Sequence, residues 1–253
     1  MTQRAAEKQL GWEAELKRTP RPARLTKQNN ASEECVMNFY RRHWFEVGGA
    51  LFVLLAFYMG FWGDGFSPIQ VILIYSFMAM LVHQFEEYAL PGGLPAIANI
   101  VTSGERDAPD RYPLNANQVM ISNVFLTYPF YVIPIFLPGV IWLGLMQVGQ
   151  GLLQVIAHGV VANVTLRSPY NPGMASNLLL QLPIGIYYIW YVHAHHLATT
   201  TDYVLGAIAA VLSLFVLWLG PILIFRSRQS KYPFSERVMY GFAADKAKRI
   251  LHS

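Results

Sequence analysis

Six apolar stretches, each long enough to cross a bilayer, restrict this fold more than any other feature of the sequence. They run over roughly 44–62, 69–88, 118–137, 139–163, 174–193 and 203–225, and a membrane-crossing helix needs about 20 such residues. Only 13% of the residues are charged, against about 25% in soluble domains. Those charges crowd into the first 43 and the last 28 residues. The expectation is an all-α polytopic membrane protein, a six-span transmembrane helical bundle.

Three parts follow from this division: a basic arm over 1–43, a membrane domain over 44–225 and a basic tail over 226–253. The arm, with Pro20, Pro22 and scattered Lys and Arg, reads as solvated or membrane-surface chain. Ser32 is a candidate N-cap for a helix entering the first span. The first apolar run begins near Trp44, too deep and too long for a cleavable signal. The third and fourth stretches form one apolar block with Pro129, Pro134 and Pro138-Gly139, and the last pair is the place for a reversal. Segment 89–117, rich in Pro and Gly, reads as a loop with a short helix at 94–102. The single Cys35 forms no internal disulfide.

Six spans with both termini cytoplasmic put nine Lys and Arg in the arm, two in loop 89–117, Arg167 in the next loop and seven in the tail. These are all 19 in the chain, whereas the opposite loops carry only Asp64 and Asp202. So complete a bias fixes the expected orientation. It also explains the +4 net charge through anionic lipid headgroups, with no nucleic-acid partner. Trp44, Trp62 and Trp190 fall at span ends, where interface anchors belong.

Within the second stretch lie His83, Glu86 and Glu87. An ionisable side chain at the bilayer centre costs at least ~2.5 kcal/mol, so the default reading is a functional site. Positions i, i+3 and i+4 share one helix face, which places the imidazole between two carboxylates. His83 and His158 each lie about 10 Å inside the cytoplasmic ends of their spans. Glu46, Asn123 and Asn163 fall in the same layer. Each has a plainer reading: Glu46 as a charge snorkelling to water, the asparagines as interhelical hydrogen-bonding residues. His193, His195 and His196 lie at the far end of the fifth span, about 28 Å away along the helix. They read as interfacial residues or a separate weak metal site.

Two histidines with two or three carboxylates suit zinc or iron, as one ion or two. In a zinc reading His83, Glu87 and His158 are ligands and Glu86, also counted among the metal residues, is the general base that takes the proton from bound water. The spacing resembles the inverted zincin motif His-x-x-Glu-His, with glutamate in the last place. In a two-metal reading Glu46, Glu86 and Glu87 bridge or cap two irons, as in helical di-iron proteins. A metal-free pair of glutamates sharing acid and base roles beside an imidazole also fits.

The string His83-Gln-Phe-Glu86-Glu87 resembles the signature of the HXXEE family of small bacterial integral membrane proteins. His158 followed by Tyr170-Asn171-Pro172-Gly173 is similar to that family's second block, and the likeness covers about 69–185. The resemblance implies that His83, Glu86, Glu87 and His158 belong together, implies a bacterial cytoplasmic membrane, and implies no reaction. Pro172-Gly173 stops one helix and gives a tight loop to cap the cytoplasmic layer. The functional expectation is a metal-dependent membrane enzyme acting on a lipid-like or hydrophobic small molecule, by water activation or hydrolysis rather than oxidation. The alternatives are a carboxylate-bridged di-iron oxidoreductase, a proton- or cation-coupled transporter, and a non-catalytic membrane scaffold.

Overall fold

The computed structural model describes residues 23–252, with side chains from Glu34 onward. Residues 1–22 of the expected arm lie outside the described residues, and 23–43 belong to a helix. Residues up to Arg41 form one unit and those from Arg42 another. Helix α1 (Ala23–Trp62) runs unbroken through Ser32, so the cap expected there is not used.

Among the described residues there is no strand, as lipid demands of a chain that must satisfy its own backbone. Helices α2 (Pro68–Tyr88), α4 (Ala116–Phe136), α5 (Ile141–Leu166) and α7 (Thr200–Phe225), with the stretch Glu34–Gly65 that joins α1 to the tight turn after it, are each long and apolar enough to cross a membrane. Helix α6 (174–194) is continuous but is not among those five. Short helices complete the set: α3 (94–102) inside the loop, then α8 (Glu236–Met239) and α9 (Ala244–Leu251) in the tail. Pro129 and Pro134 are absorbed within α4, and the reversal falls at Pro138-Gly139.

Helix α2 is the centre of the packing. Its start is fixed by a capping box: Gln70 N–H donates to Ser67 Oγ and Ser67 N–H to Gln70 Oε1, with Pro68 at the first helical position. Of its span 61% is buried, against 22% for α1 and α7, so α2 alone is wrapped on most sides. Leu73, Phe77, Met80 and Leu81 of α2 pack with Tyr131 of α4, Leu145 and Val148 of α5 and Tyr188 of α6. Buried polar pairs lock these helices. Gln147 Nε2 donates to the Leu73 carbonyl at 3.0 Å and Tyr131 Oη to Gln150 Oε1 at 2.6 Å. Trp44 departs from its expected interfacial place: it is buried on Tyr88, ring centroids 5.0 Å apart.

The tail folds back on loop 89–117 rather than trailing away. Phe234 N–H donates to the Asp110 carbonyl at 2.8 Å, Phe242 N–H to Gly92 at 3.0 Å, and Lys246 Nζ to Leu166 at 2.6 Å. Gly241 lies so close to Gly92 that a Cβ there would sit 2.3 Å from the Gly92 carbonyl carbon. Gly241→Val is thus expected to weaken tail docking by about 1–3 kcal/mol, the usual cost of overpacking. Faster tryptic cleavage at Lys246 and Lys248, with the membrane core unchanged, is the readout.

Buried Glu105 ties the same layer together by accepting from Arg228 Nη2 at 2.7 Å and Nε at 3.0 Å. The Arg228 guanidinium holds this carboxyl below the usual carboxylate range. A depressed folded value means that the contribution is complete at neutral pH and is lost as pH falls through it. Amide-exchange protection around 228–234 is expected to drop in acid, below about pH 4, and to be low at every pH in Arg228→Gln.

Candidate metal centre

Glu87 Oε1 lies 3.3 Å from His83 Nε2 and 3.3 Å from His158 Nε2, and all three residues are buried. The first pair is the i, i+4 neighbourhood on α2. His158 arrives from a widened π turn, Ala157–Ala162, in α5. Such turns also occur in α3, α4, α6 and α7, so the π turn alone marks nothing. The two imidazoles meet edge to face with centroids 4.9 Å apart, and the three ligand-type atoms lie within 4.8 Å of one another.

Their other ring nitrogens decide the protonation pattern. His83 Nδ1 faces the Gly173 carbonyl at 3.1 Å, which can only accept, and the Ser176 hydroxyl at 3.2 Å. His158 Nδ1 faces Asn171 Oδ1 at 2.7 Å. The Asn171 amide is oriented by its two donated bonds, to the His158 carbonyl and to Asn163 Oδ1, both 2.7 Å. Each Nδ1 is therefore the donor, and in the neutral ring each Nε2 keeps its lone pair. Three lone-pair atoms then converge with no donor between them. A proton, a metal ion or a water donating both of its hydrogens relieves that arrangement.

The loop between α5 and α6 closes over the cluster. Arg167 ends α5 in a left-handed conformation with φ 48°. Gly173, at φ 97°, opens α6, and a Cβ on it would meet His158 Cε1 at 2.6 Å and His83 Cε1 at 2.7 Å. Only glycine fits between the two rings.

Glu86 takes a different direction. Neighbouring residues on a helix diverge by about 100°, and its carboxylate turns to the first turn of α6. Oε1 accepts from Tyr170 Oη at 2.7 Å and Ala175 N–H at 3.0 Å; Oε2 accepts from Ser176 N–H at 2.7 Å and Ser176 Oγ at 2.5 Å. A carboxylate offers about four lone-pair positions, and all are filled. Glu86, expected as metal ligand and general base, thus stands outside the His83–Glu87–His158 group and caps the start of α6 from another helix. Tyr170 in turn lies against Phe242 of the tail, centroids 5.1 Å apart.

The remaining candidates stand apart from the cluster. Glu46 is bound by His43 and by Arg237 Nη2 at 2.5 Å, so it does not serve a second ion here. Asn123 accepts from Gln84 Nε2 at 3.1 Å and donates to the Val119 carbonyl at 2.9 Å. Asn163 reaches the cluster indirectly, through Asn171. His193, His195 and His196 are exposed at the other end of α6, with His195 against Tyr191. Tyr170, Asn171 and Gly173 acquire roles that their residue types alone do not announce, although the Tyr-Asn-Pro-Gly string is visible in sequence. Ser176 carries no sequence signal.

Fold and cluster together define an all-helical membrane protein with a buried His–Glu–His group held beneath a glycine loop. Residues 74–188 match the HXXEE family, described as proteins of unknown function with an HXXEE motif, and this part of the chain belongs to that family. The matched segment contains α2 from Ile74 onward, the capping loop and every residue of the cluster. No curated protein and no solved structure matches the chain.

Gly173→Ala is expected to force both imidazoles aside and to strain a left-handed backbone. A loss of about 1–3 kcal/mol should appear as a lower unfolding midpoint in detergent, together with shifted His83 and His158 ring resonances.

Proposed function

We propose that His83, Glu87 and His158 hold one divalent metal ion, zinc before iron, and that the chain is a metal-dependent membrane enzyme of the water-activating type. The convergence of two Nε2 lone pairs on one carboxylate oxygen carries this reading. Ligands about 2.0–2.1 Å from a tetrahedral centre stand roughly 3.3–3.4 Å apart, and both contacts to Glu87 measure 3.3 Å. Hydrogen bonds from the far ring nitrogens to Gly173 and Asn171 match the outer support that metal-bound histidines use. With Glu46 and Glu86 committed elsewhere, one ion suits the donor set better than a carboxylate-bridged pair.

Three protein ligands leave a position for water or substrate, where such an ion supplies Lewis-acid activation. The chain's own part is to orient both rings and, through the second oxygen of Glu87, to offer a proton acceptor. A site inside the span-forming helices near their ends favours an amphiphilic, lipid-like or otherwise hydrophobic substrate. The gathering of Lys and Arg at that end supports a cytoplasmic-leaflet position in a bacterial membrane, with six spans.

Elemental analysis of the purified chain tests the reading. About one zinc or iron per chain is expected in the wild type, with most of it lost in His83→Ala and in His158→Ala. Asn171→Leu, which removes the ring support together with the bonds Asn171 donates to the His158 carbonyl and Asn163 while leaving all three ligands in place, is expected to weaken binding about 10–100-fold. Wild-type protein without metal, after purification free of chelators, would overturn the proposal. The cluster would then be a proton-bearing network that locks α2 to α5.

A further inference from the structure

The seam between α5 and α6 carries a row of buried amides that leads to the cluster. On α5, Gln147, Gly151, Gln154 and His158 are spaced by four, three and four residues, which keeps them on one helix face. On α6, Gly173, Asn177 and Gln181 follow at intervals of four. Asn177 Nδ2 donates to the Gln154 carbonyl at 3.3 Å. Gln181 lies on Gly151, where a Cβ would come within 2.6 Å of its Oε1. On both helices the row runs away from the capping loop, over roughly 16 Å between His158 and Gln147.

These amides are short of partners. Asn177 and Gln147 are fully buried, and Gln181 is 5% exposed. Neither Oε1 nor Nε2 of Gln181 has a hydrogen-bond partner among the described residues, and Asn177 Oδ1 and Gln147 Oε1 have none either. Turning the amides over does not help. Gln181 would stay unpaired at both ends, while the oxygens of Asn177 and Gln147 would meet the Gln154 and Leu73 carbonyls that their nitrogens now serve. Gln84 and Gln118 also keep one unpaired oxygen each, but they belong to α2 and α4. An unpaired amide is expensive wherever it is buried, and hydrocarbon offers it nothing. Three acceptors and one donor along a packed seam suit a small ligand that both donates and accepts, which is water.

We propose that Gln181, Asn177 and Gln147 hold internal water along the α5–α6 seam, and that this row is the route by which solvent reaches the His83–Glu87–His158 cluster. The loop side of the cluster is closed. Gly173 fills the gap between the rings, and Gly173, Ser176 and Asn171 occupy both Nδ1 atoms. Gln181 sits level with Gly151, seven residues from His158, or about 10 Å along the helix. About three waters at hydrogen-bond spacing span that distance. The row serves a metal-bearing cluster and a proton-bearing one alike.

Full-length protein in detergent, with nitrogen-labelled glutamine and carbon-labelled histidine, tests this through nuclear Overhauser contacts to water. The Gln181 side-chain amide and the His158 Cδ2 proton, which does not exchange and adjoins Nε2, are both expected to show them. Gln181→Met identifies the amide signal by its loss and is expected to abolish the His158 contact as well. Should that variant unfold, Gly151→Ala, which intrudes on the same amide, takes its place. A Gln181 amide or a His158 ring without water contact in the wild type overturns the proposal. So does a His158 contact that persists in whichever variant folds, since water would then arrive past the loop.

Discussion

The Glu86 carboxylate, turned onto the first turn of α6, is the interaction on which the rest of the site depends. Hydrogen bonds to a charged group are each worth about 1.5–3 kcal/mol, and this carboxylate accepts four. Together they outweigh the ~2.5 kcal/mol or more of bringing the charge among apolar helices. They also fix where α6 begins. Because α6 begins there, Gly173 is delivered between the two imidazoles and its carbonyl meets His83. The His83 tautomer therefore follows from a residue that touches neither Nε2, whereas that of His158 is set by Asn171.

Much of the architecture could be read from the sequence, because a bilayer imposes its demands through composition. The apolar stretches, the reversal at Pro138-Gly139 and the short helix in loop 89–117 all follow from local chemistry. The depth argument also brought His158 to His83 and Glu87 across distant helices. It failed for Glu46 and Asn123, which share a layer with the cluster and not a direction within it. Depth fixes one coordinate; rotation about the helix axis fixes the other, and only packing sets it. The two adjacent glutamates make the same point within a single turn.

The tail is less legible in the sequence. Its composition marks only a basic segment, yet residues 232–251 are built into the loop layer by backbone bonds to Asp110 and Gly92 and by the close Gly92–Gly241 approach. No hydrophobic periodicity announces a contact made through glycine and main chain. The consequence reaches inward, since Phe242 rests on Tyr170 and Tyr170 holds Glu86.

The unequal jobs of the two carboxylates give the five-letter motif an internal grammar. A descendant that lost the final glutamate alone would keep its loop, its helix cap and its packing while the two ring nitrogens faced each other without an anion. A descendant that lost the first would forfeit the frame as well.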